Sequence, residues 1–130
     1  MTRVLVTGSR DWIDTKMIHD ALDNIMSHYE GPFTLIHGAC PSGADKIASD
    51  YATELKWTIV AELPDWKKFG KSAGPIRNRK MVFDHKPNVA LAFSLNGSRG
   101  TASCIAMLRE FKQKYPHILL KIDVYEKNVA

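Results

Sequence analysis

Short apolar runs alternate with amphipathic stretches along this chain. Strands are predicted where the apolar run is nearly continuous, as at Val4, Leu5 and Val6, and helices where apolar residues recur every three or four positions, as at Ile18 and Leu22. Strands are predicted at 3–7, 33–37, 58–63, 88–93 and 118–125, and helices at 14–29, 42–56, 75–84 and 101–115. Near-continuous apolar strands that alternate with helices are typical of a parallel sheet covered on both faces. We therefore predict an α/β fold with a five-stranded parallel sheet flanked by helices.

Turn-forming and capping residues mark the ends of several elements. Gly31 and Pro32 end the first helix, and Pro75 suits the first turn of the third. Ser42 and Asp45 have the spacing of a capping box at the start of the second helix. Residues 64–74, which are rich in Trp, Lys and Gly, are predicted to form a loop.

The composition is that of one globular domain. The chain has 130 residues, of which 45% are hydrophobic and 25% charged, so it can bury a core without disulfides or metal. We expect a single domain over residues 1–130. The two cysteines, Cys40 and Cys104, form no CxxC pair, and no signal-peptide core or apolar run of the ~20 residues that span a membrane is present. We therefore expect a cytoplasmic protein with no membrane partner.

Positive charge is concentrated in one segment. The formal net charge is +4, and residues 66–83 contain six basic side chains and no acid. Arg77 and Lys80 fall one helical turn apart there, with Arg79 beside Lys80. Such a run could contact the phosphates of a small ligand or of nucleic acid, or form a solvated face.

Three glycine-containing loops follow predicted strands and lead towards helix N-termini. Ligands of parallel α/β sheets bind beyond the carboxyl ends of the strands, where the unpaired N–H groups of helix N-termini attract anions. No loop has a GxGxxG or Walker A pattern, which argues against a standard NAD or P-loop site. The predicted ligand-binding residues of these loops are Gly8, Ser9 and Arg10; His37, Gly38, Gly43 and Asp45; and Gly97, Ser98, Arg99, Gly100 and Thr101, with Arg77 and Arg79 from the basic segment.

Several of these residues also have structural interpretations. His37 could be a core histidine, and Asp45 could hold a ribose hydroxyl or only cap its helix. Trp12 and Trp66 lie outside periodic core positions, so one of them could stack on a base, or both could pack at the rim. Cys104 is expected to pack inside its helix rather than to react.

The motifs GSRDW, HGACPSGAD, GPIRNRKM and GSRGTA occur in this order, and with them the chain resembles the YspA-like branch of the SLOG superfamily. These proteins are related to the Lonely Guy phosphoribohydrolases and to the DNA-processing protein DprA. The resemblance covers residues 3 to about 108. It implies a Rossmann-like three-layer sandwich with a nucleotide pocket at the carboxyl edge of the sheet.

One position departs from the Lonely Guy pattern. Those enzymes carry a signature resembling PGGxGTxxE after an Arg-Lys pair, and Arg79-Lys80 look like that pair. Residues 96–104 read NGSRGTASC, so that Cys104 stands at the position of the catalytic glutamate. Glycoside cleavage needs a carboxylate, which Asp11, Asp45 or Asp65 would have to supply from another loop.

Three functions are consistent with this pattern. We expect a protein that binds a nucleotide or nucleotide-derived small molecule, as a sensor or sequestering protein for a nucleotide signal. The alternatives are a Lonely Guy-like hydrolase of nucleoside monophosphates, with Asp45 and Arg79 as catalytic candidates, and a DprA-like nucleic-acid binder. We expect a homo-oligomer without cofactor or protein-bound metal, since the histidines show no ligand spacing, although Mg²⁺ could accompany the phosphates.

Overall fold

The computed structural model describes residues 1–129 and contains a five-stranded, wholly parallel sheet. The strand order is β3-β2-β1-β4-β5. The strands are β1 (Thr2–Gly8), β2 (Phe33–His37), β3 (Thr58–Ala61), β4 (Val89–Leu95) and β5 (Lys121–Lys127). The helices are α1 (Thr15–His28), α2 (Gly43–Glu54), α3 (Trp66–Phe69), α4 (Ala73–Phe83) and α5 (Arg99–Lys114). The predicted five-stranded parallel α/β fold, a Rossmann-like sandwich, is confirmed.

Side chains of the central strand alternate between two cores, one on each face of the sheet. Val4 and Val6 pack with residues of α1 and α2, including Leu22. Leu5, between them, packs on the other face with residues of α4 and α5, including Leu108. All three strand residues are fully buried. Because both faces are covered, the middle of the strand is apolar, and its polar residues lie near its two ends.

The start of α2 differs from the predicted capping box. Ser42 does not cap its helix; its hydroxyl donates instead to the carbonyl oxygen of Arg10 at 2.9 Å. The Asp45 carboxylate reaches back to accept from the backbone N–H of Gly38 at 3.1 Å. The capping-box prediction was wrong because both side chains bind neighbouring loops and not their own helix.

Residues 64–74 are not the predicted loop. The Asp65 carboxylate accepts from the N–H of Lys68 at 3.0 Å and starts the four-residue helix α3. A 3₁₀ turn at Gly70–Ser72 follows, and α4 begins at Ala73, two residues before Pro75. No residue of α3 is buried. The segment therefore has no apolar periodicity from which a helix could be predicted.

The strand order changes direction at β1. The chain runs outward from β1 through β2 to β3, then crosses to the opposite side of β1 to form β4 and β5. The connections after β1 and after β4 therefore run to opposite sides of the sheet centre. A crevice forms between them, beyond the carboxyl ends of β1 and β4. Within residues 1–129, no helix is both long and apolar enough to cross a membrane.

Candidate functional site

A cleft of about 420 Å³ lies beyond the carboxyl ends of β1 and β4. The strands supply its floor, and the first residues of α5 and the side of α4 supply its walls. Of the predicted ligand-binding residues, nine line this cleft: Gly8, Ser9, Arg10, Gly38, Asp45, Arg77, Ser98, Gly100 and Thr101. The structure thus brings together residues from four separate segments of the sequence.

Ser9 connects the elements around the cleft floor. Its N–H donates to the carbonyl oxygen of Phe93 at 2.9 Å, and its carbonyl oxygen accepts from Ala44 at 3.2 Å. Its hydroxyl oxygen accepts from the N–H of Leu95 at 2.8 Å. The backbone and the hydroxyl of Ser9 together therefore hold the ends of β1 and β4 and the start of α2 in one arrangement.

Arg10, the next residue, is exposed and lines the cleft. Within residues 1–129 its guanidinium makes no hydrogen bond and no ion pair. A guanidinium presents five N–H donors in a planar fork that matches phosphate or carboxylate. Arg10 is therefore available to an anionic ligand.

Two glycines allow α2 to approach this turn. A Cβ on Gly8 would overlap that of Ala44 and lie 2.7 Å from the carbonyl oxygen of Phe93. Gly43 has a φ of +72°, and a Cβ there would overlap the carbonyl oxygen of Ser9. Gly43 does not line the cleft, so its contribution is this close packing.

Asp45 and Arg77 form the polar interior of the cleft. Asp45 is 6% exposed, and one carboxylate oxygen accepts from the N–H groups of Gly38 (3.1 Å) and Cys40 (3.3 Å). Burial raises the pKa of Asp45 to about 6, and the Cys40 N–H and the charge of Arg77 limit that rise. Arg77 itself donates to the carbonyl oxygen of Gly38 and, through Nε, to Asn78 at 2.7 Å. The carboxyl of Asp45, which titrates close to neutral pH, thus lies near the permanent positive charge of Arg77.

The N-terminus of α5 forms the opposite wall. Ser98 caps the helix, and its hydroxyl oxygen accepts from the N–H of Thr101 at 3.4 Å and from the Thr101 hydroxyl at 3.1 Å. Gly100 would place a Cβ in open space. The start of a 16-residue helix concentrates unpaired N–H groups and the positive end of its dipole on the cleft.

Trp12 and His37 belong to the core and not to the cleft. Trp12 is 2% exposed and packs edge-on against Phe93, with ring centroids 5.4 Å apart. It cannot stack on a ligand, so the interpretation of Trp12 as a base-stacking residue was wrong. His37 is 6% exposed and accepts from the N–H of Ala39 at 3.0 Å. Burial, and secondly the nearby charge of Arg77, lower the pKa of His37 and so favour its neutral form.

Three further predicted residues are not among those that line the cleft: Arg79, Gly97 and Arg99. Arg79 makes an exposed ion pair with Glu110 at 3.0 Å and lies over the ring of Phe83. Gly97, with a φ of +67°, shapes the turn before α5. The basic segment therefore contributes Arg77 to the cleft and directs Arg79 towards α5.

Sequence reasoning missed several cleft residues. The ones not predicted are Thr7, Cys40, Asn78, Met81, Leu95 and Asn96, whereas Asp11, which also lines the cleft, was predicted as a possible carboxylate for glycoside cleavage. Asn78 had a signal in the sequence: it comes three and four residues before Met81 and Val82, on the apolar face of its helix. In the structure it is 6% exposed and accepts from Nε of Arg77. Asn96 adopts a φ of +51° just before Gly97. Leu95 and Met81 gave none, because an apolar residue at the end of a strand or helix is indistinguishable from core.

Cys104 is a packing residue, as expected from its place within the helix. It is fully buried in the core between the sheet and α4 and α5. Burial raises the pKa of its thiol to about 11, so the sulfur is protonated at neutral pH. Within the described part of the chain, no group of three His, Cys, Asp or Glu side chains could hold a metal ion.

A family model matches this chain over residues 2–69, which is more than half of its length; the model describes the YspA, cpYpsA-related SLOG family. The chain belongs to that family. The matched segment of this SLOG protein includes the turn after β1 and the loop from β2 into α2, which form one side of the cleft. Membership in the SLOG family suggests a nucleotide-related function.

A phage protein resembles this SLOG chain over most of its length. The "Gene 61 protein" of Mycobacterium phage D29 is 38% identical over 110 residues, which cover 81% of this chain and 86% of the phage protein. Its name states no activity.

Proposed function

We propose that this protein binds a nucleotide or nucleotide-derived small molecule in the cleft beyond β1 and β4, as a sensor or sequestering protein for a nucleotide signal. The observation that carries the proposal is that one cleft is lined both by the guanidinium of Arg10, which has no partner among residues 1–129, and by the N-terminus of α5. Both attract anions. Arg10 follows β1 and α5 follows β4, the two strands at which the strand order changes direction.

The phosphate of such a ligand would bind at the start of α5. The O–H of Ser98 remains to donate beside the first N–H groups of that helix, since the Ser98 oxygen only accepts from Thr101, and Gly100 leaves open space there. Arg10 would add charge-assisted hydrogen bonds from the opposite wall. Arg77 already donates to Gly38 and Asn78. Its charge therefore acts on the ligand mainly through the electrostatic potential inside the cleft.

Binding without turnover is favoured by Cys104. In the resemblance to Lonely Guy enzymes this position corresponds to the catalytic glutamate, and here the side chain is a buried, protonated thiol that does not line the cleft. It can neither stabilise an oxocarbenium ion nor activate water. At position 104, α5 therefore supplies no carboxylate for glycoside cleavage.

Hydrolysis of a nucleoside monophosphate is the second candidate, and Asp45 favours it. Its carboxyl lines the cleft and has a pKa of about 6, which suits a group that exchanges protons near neutral pH. One of its oxygens is held by two backbone N–H groups, which leaves the other to face a ligand. Asp45 would then act as the general acid or base.

One incubation distinguishes the two candidates. The protein is mixed with AMP, a cytokinin ribotide, NAD, ADP-ribose and cyclic nucleotides, and is then passed through a filter. The filtrate and the ligand released by heat are analysed by chromatography. A ligand depleted from the filtrate and released unchanged supports binding; free base or ribose phosphate that accumulates with time, and that disappears in D45N, establishes the hydrolase instead.

A further inference from the structure

A second cleft, of about 410 Å³, opens beside the first. The two share four lining residues: Arg10, Gly38, Cys40 and Arg77. Beyond this shared wall the second cleft is mainly apolar: Ser42 is the polar residue there, and the others are Ala39, Pro41, Leu63, Pro64 and Trp66. The guanidinium groups of Arg10 and Arg77 thus lie at the boundary between the polar first cleft and the second cleft.

Trp66 is the exposed aromatic of this second cleft. Its residue is 56% exposed, and the adjacent Leu63 is 76% exposed. The indole lies against the start of α4, because its Cη2 atom is 3.7 Å from where a Cβ on Gly74 would be. The backbone is held by the Asp65 cap of α3. A ring supported in this way, yet open to solvent, is a platform for another flat ring.

We infer that the second cleft is the base subsite of the nucleotide ligand, with the base stacked on Trp66 and the phosphate at the start of α5. This inference rests on the proposed function. An aromatic ring joined to an anion matches a mainly apolar cleft that continues into a polar one with two guanidinium groups and a helix N-terminus. Every nucleobase has a π-face, so stacking would supply affinity for several bases, and the edges of the cleft would decide among them.

Single-stranded nucleic acid is the rival occupant. Three lysines, Lys67, Lys68 and Lys71, lie in or just after α3, and Lys68 is over the ring of Phe69 at 5.1 Å. None of these lysines lines either cleft. A strand that used them would run along the outside of α3 and bypass the polar cleft. The shared wall of Arg10 and Arg77 favours a small ligand that fills both clefts.

Tryptophan fluorescence reports this site directly. The chain has three tryptophans; Trp12 and Trp57 are 2% and 7% exposed, so acrylamide quenching monitors mainly Trp66. Quenching is measured with AMP, GMP, CMP, UMP, NAD and ADP-ribose, and with ribose 5-phosphate, which has no base. Calorimetry gives the affinity of each. At least one base-containing ligand should shield Trp66, and ribose 5-phosphate should not.

Three variants separate stacking from folding. Trp66→Ala should weaken binding of the shielding nucleotide about tenfold or more, the range measured when a stacking aromatic is removed. Trp66→Phe should retain most of the affinity. Phe69→Ala is the matched control, since Phe69 is an exposed aromatic of the same short helix that lines neither cleft. Ribose 5-phosphate should bind all of these variants equally.

The possible results are distinguishable. Two results together would overturn the base subsite and leave the proposed function intact. They are wild-type quenching that no nucleotide changes, and a nucleotide affinity of Trp66→Ala equal to that of wild type. Failure of all the nucleotides and of ribose 5-phosphate to bind would overturn both. Shielding by a short oligothymidine alone, lost steeply with salt, would overturn the inference and assign α3 to nucleic acid.

Discussion

The guanidinium of Arg77 lies against the backbone of Gly38, to whose carbonyl oxygen it donates. A Cβ on Gly38 would be 2.7 Å from the Nη1 atom of Arg77. Glycine at this position thus determines where the arginine charge lies in the cleft. The colliding atoms are the far end of a flexible side chain, so a larger residue would displace Arg77 without disturbing the fold.

Gly38→Ala should therefore impair binding more than stability. We expect the affinity for the retained nucleotide to fall about tenfold, because a unit charge displaced by a few ångströms loses about 1 kcal/mol of attraction to an anion. The free energy of unfolding in urea should change by less than about 1 kcal/mol. Ser27→Ala is the control, because Ser27 is an exposed residue of α1 that lines neither cleft. Equal affinity in Gly38→Ala and wild type would show that the position of Arg77 is unimportant for the ligand.

Gly8→Ala should have the opposite outcome. Its Cβ would overlap that of Ala44 and lie 2.7 Å from the backbone oxygen of Phe93, and neither atom belongs to a flexible side chain. We expect the free energy of unfolding to fall by about 1–3 kcal/mol, the usual cost of overpacking. Urea denaturation with an unchanged m-value measures it. A stability equal to wild type would mean that α2 can move away from β1 at no cost.

The buried carboxyl of Asp45 makes stability depend on pH. Its pKa is raised from 3.8 to about 6 in the folded protein, so the folded state holds a proton that the unfolded state has lost. The stabilisation associated with this proton is complete below about pH 4 and is lost as the pH rises through 6. By pH 7 the accumulated difference is about 3 kcal/mol at most.

Asp45→Asn should flatten this part of the stability profile. The amide oxygen can still accept from Gly38 and Cys40, while the ionisable group is gone. We expect the unfolding free energy of the variant, measured in urea between pH 4 and 7.5, to decline less than that of wild type over pH 4–6.5. Parallel profiles for the two proteins would contradict a raised pKa at Asp45.

The fold could be predicted from the sequence because the core of a parallel sheet leaves a simple pattern. β1 is buried on both faces, so Val4, Leu5 and Val6 form an uninterrupted apolar run. α3 could not be predicted, since an exposed four-residue helix held by the cap of Asp65 has no buried face. The last strand was placed three residues too early, as Ile118 and Leu120 are apolar residues that precede β5.

The cleft could be predicted in part, for a different reason. Glycine and hydroxyl residues after strands indicate where backbone and ligand approach, and this signal located Ser9, Ser98 and Thr101. The direction of a side chain leaves no such signal. Arg77 and Arg79 are two residues apart on one helix and therefore diverge, which only the packing of α4 against α5 reveals.

That divergence gives the last prediction, a comparison of three arginines. Arg10→Ala should weaken nucleotide binding about tenfold or more, because Arg10 lines both clefts and its charge is otherwise unpaired among residues 1–129. Arg79→Ala should bind like wild type and lose at most about 1 kcal/mol of stability, since its ion pair with Glu110 is exposed. Arg109→Ala, which removes an exposed arginine outside both clefts, controls for net charge. Calorimetry at two salt concentrations measures the affinity of all three variants.

The contradicting result is a loss of affinity in Arg79→Ala equal to that in Arg10→Ala. The ligand would then contact the face of α4 that carries Arg79, and its phosphate would not bind in the cleft beyond β1 and β4.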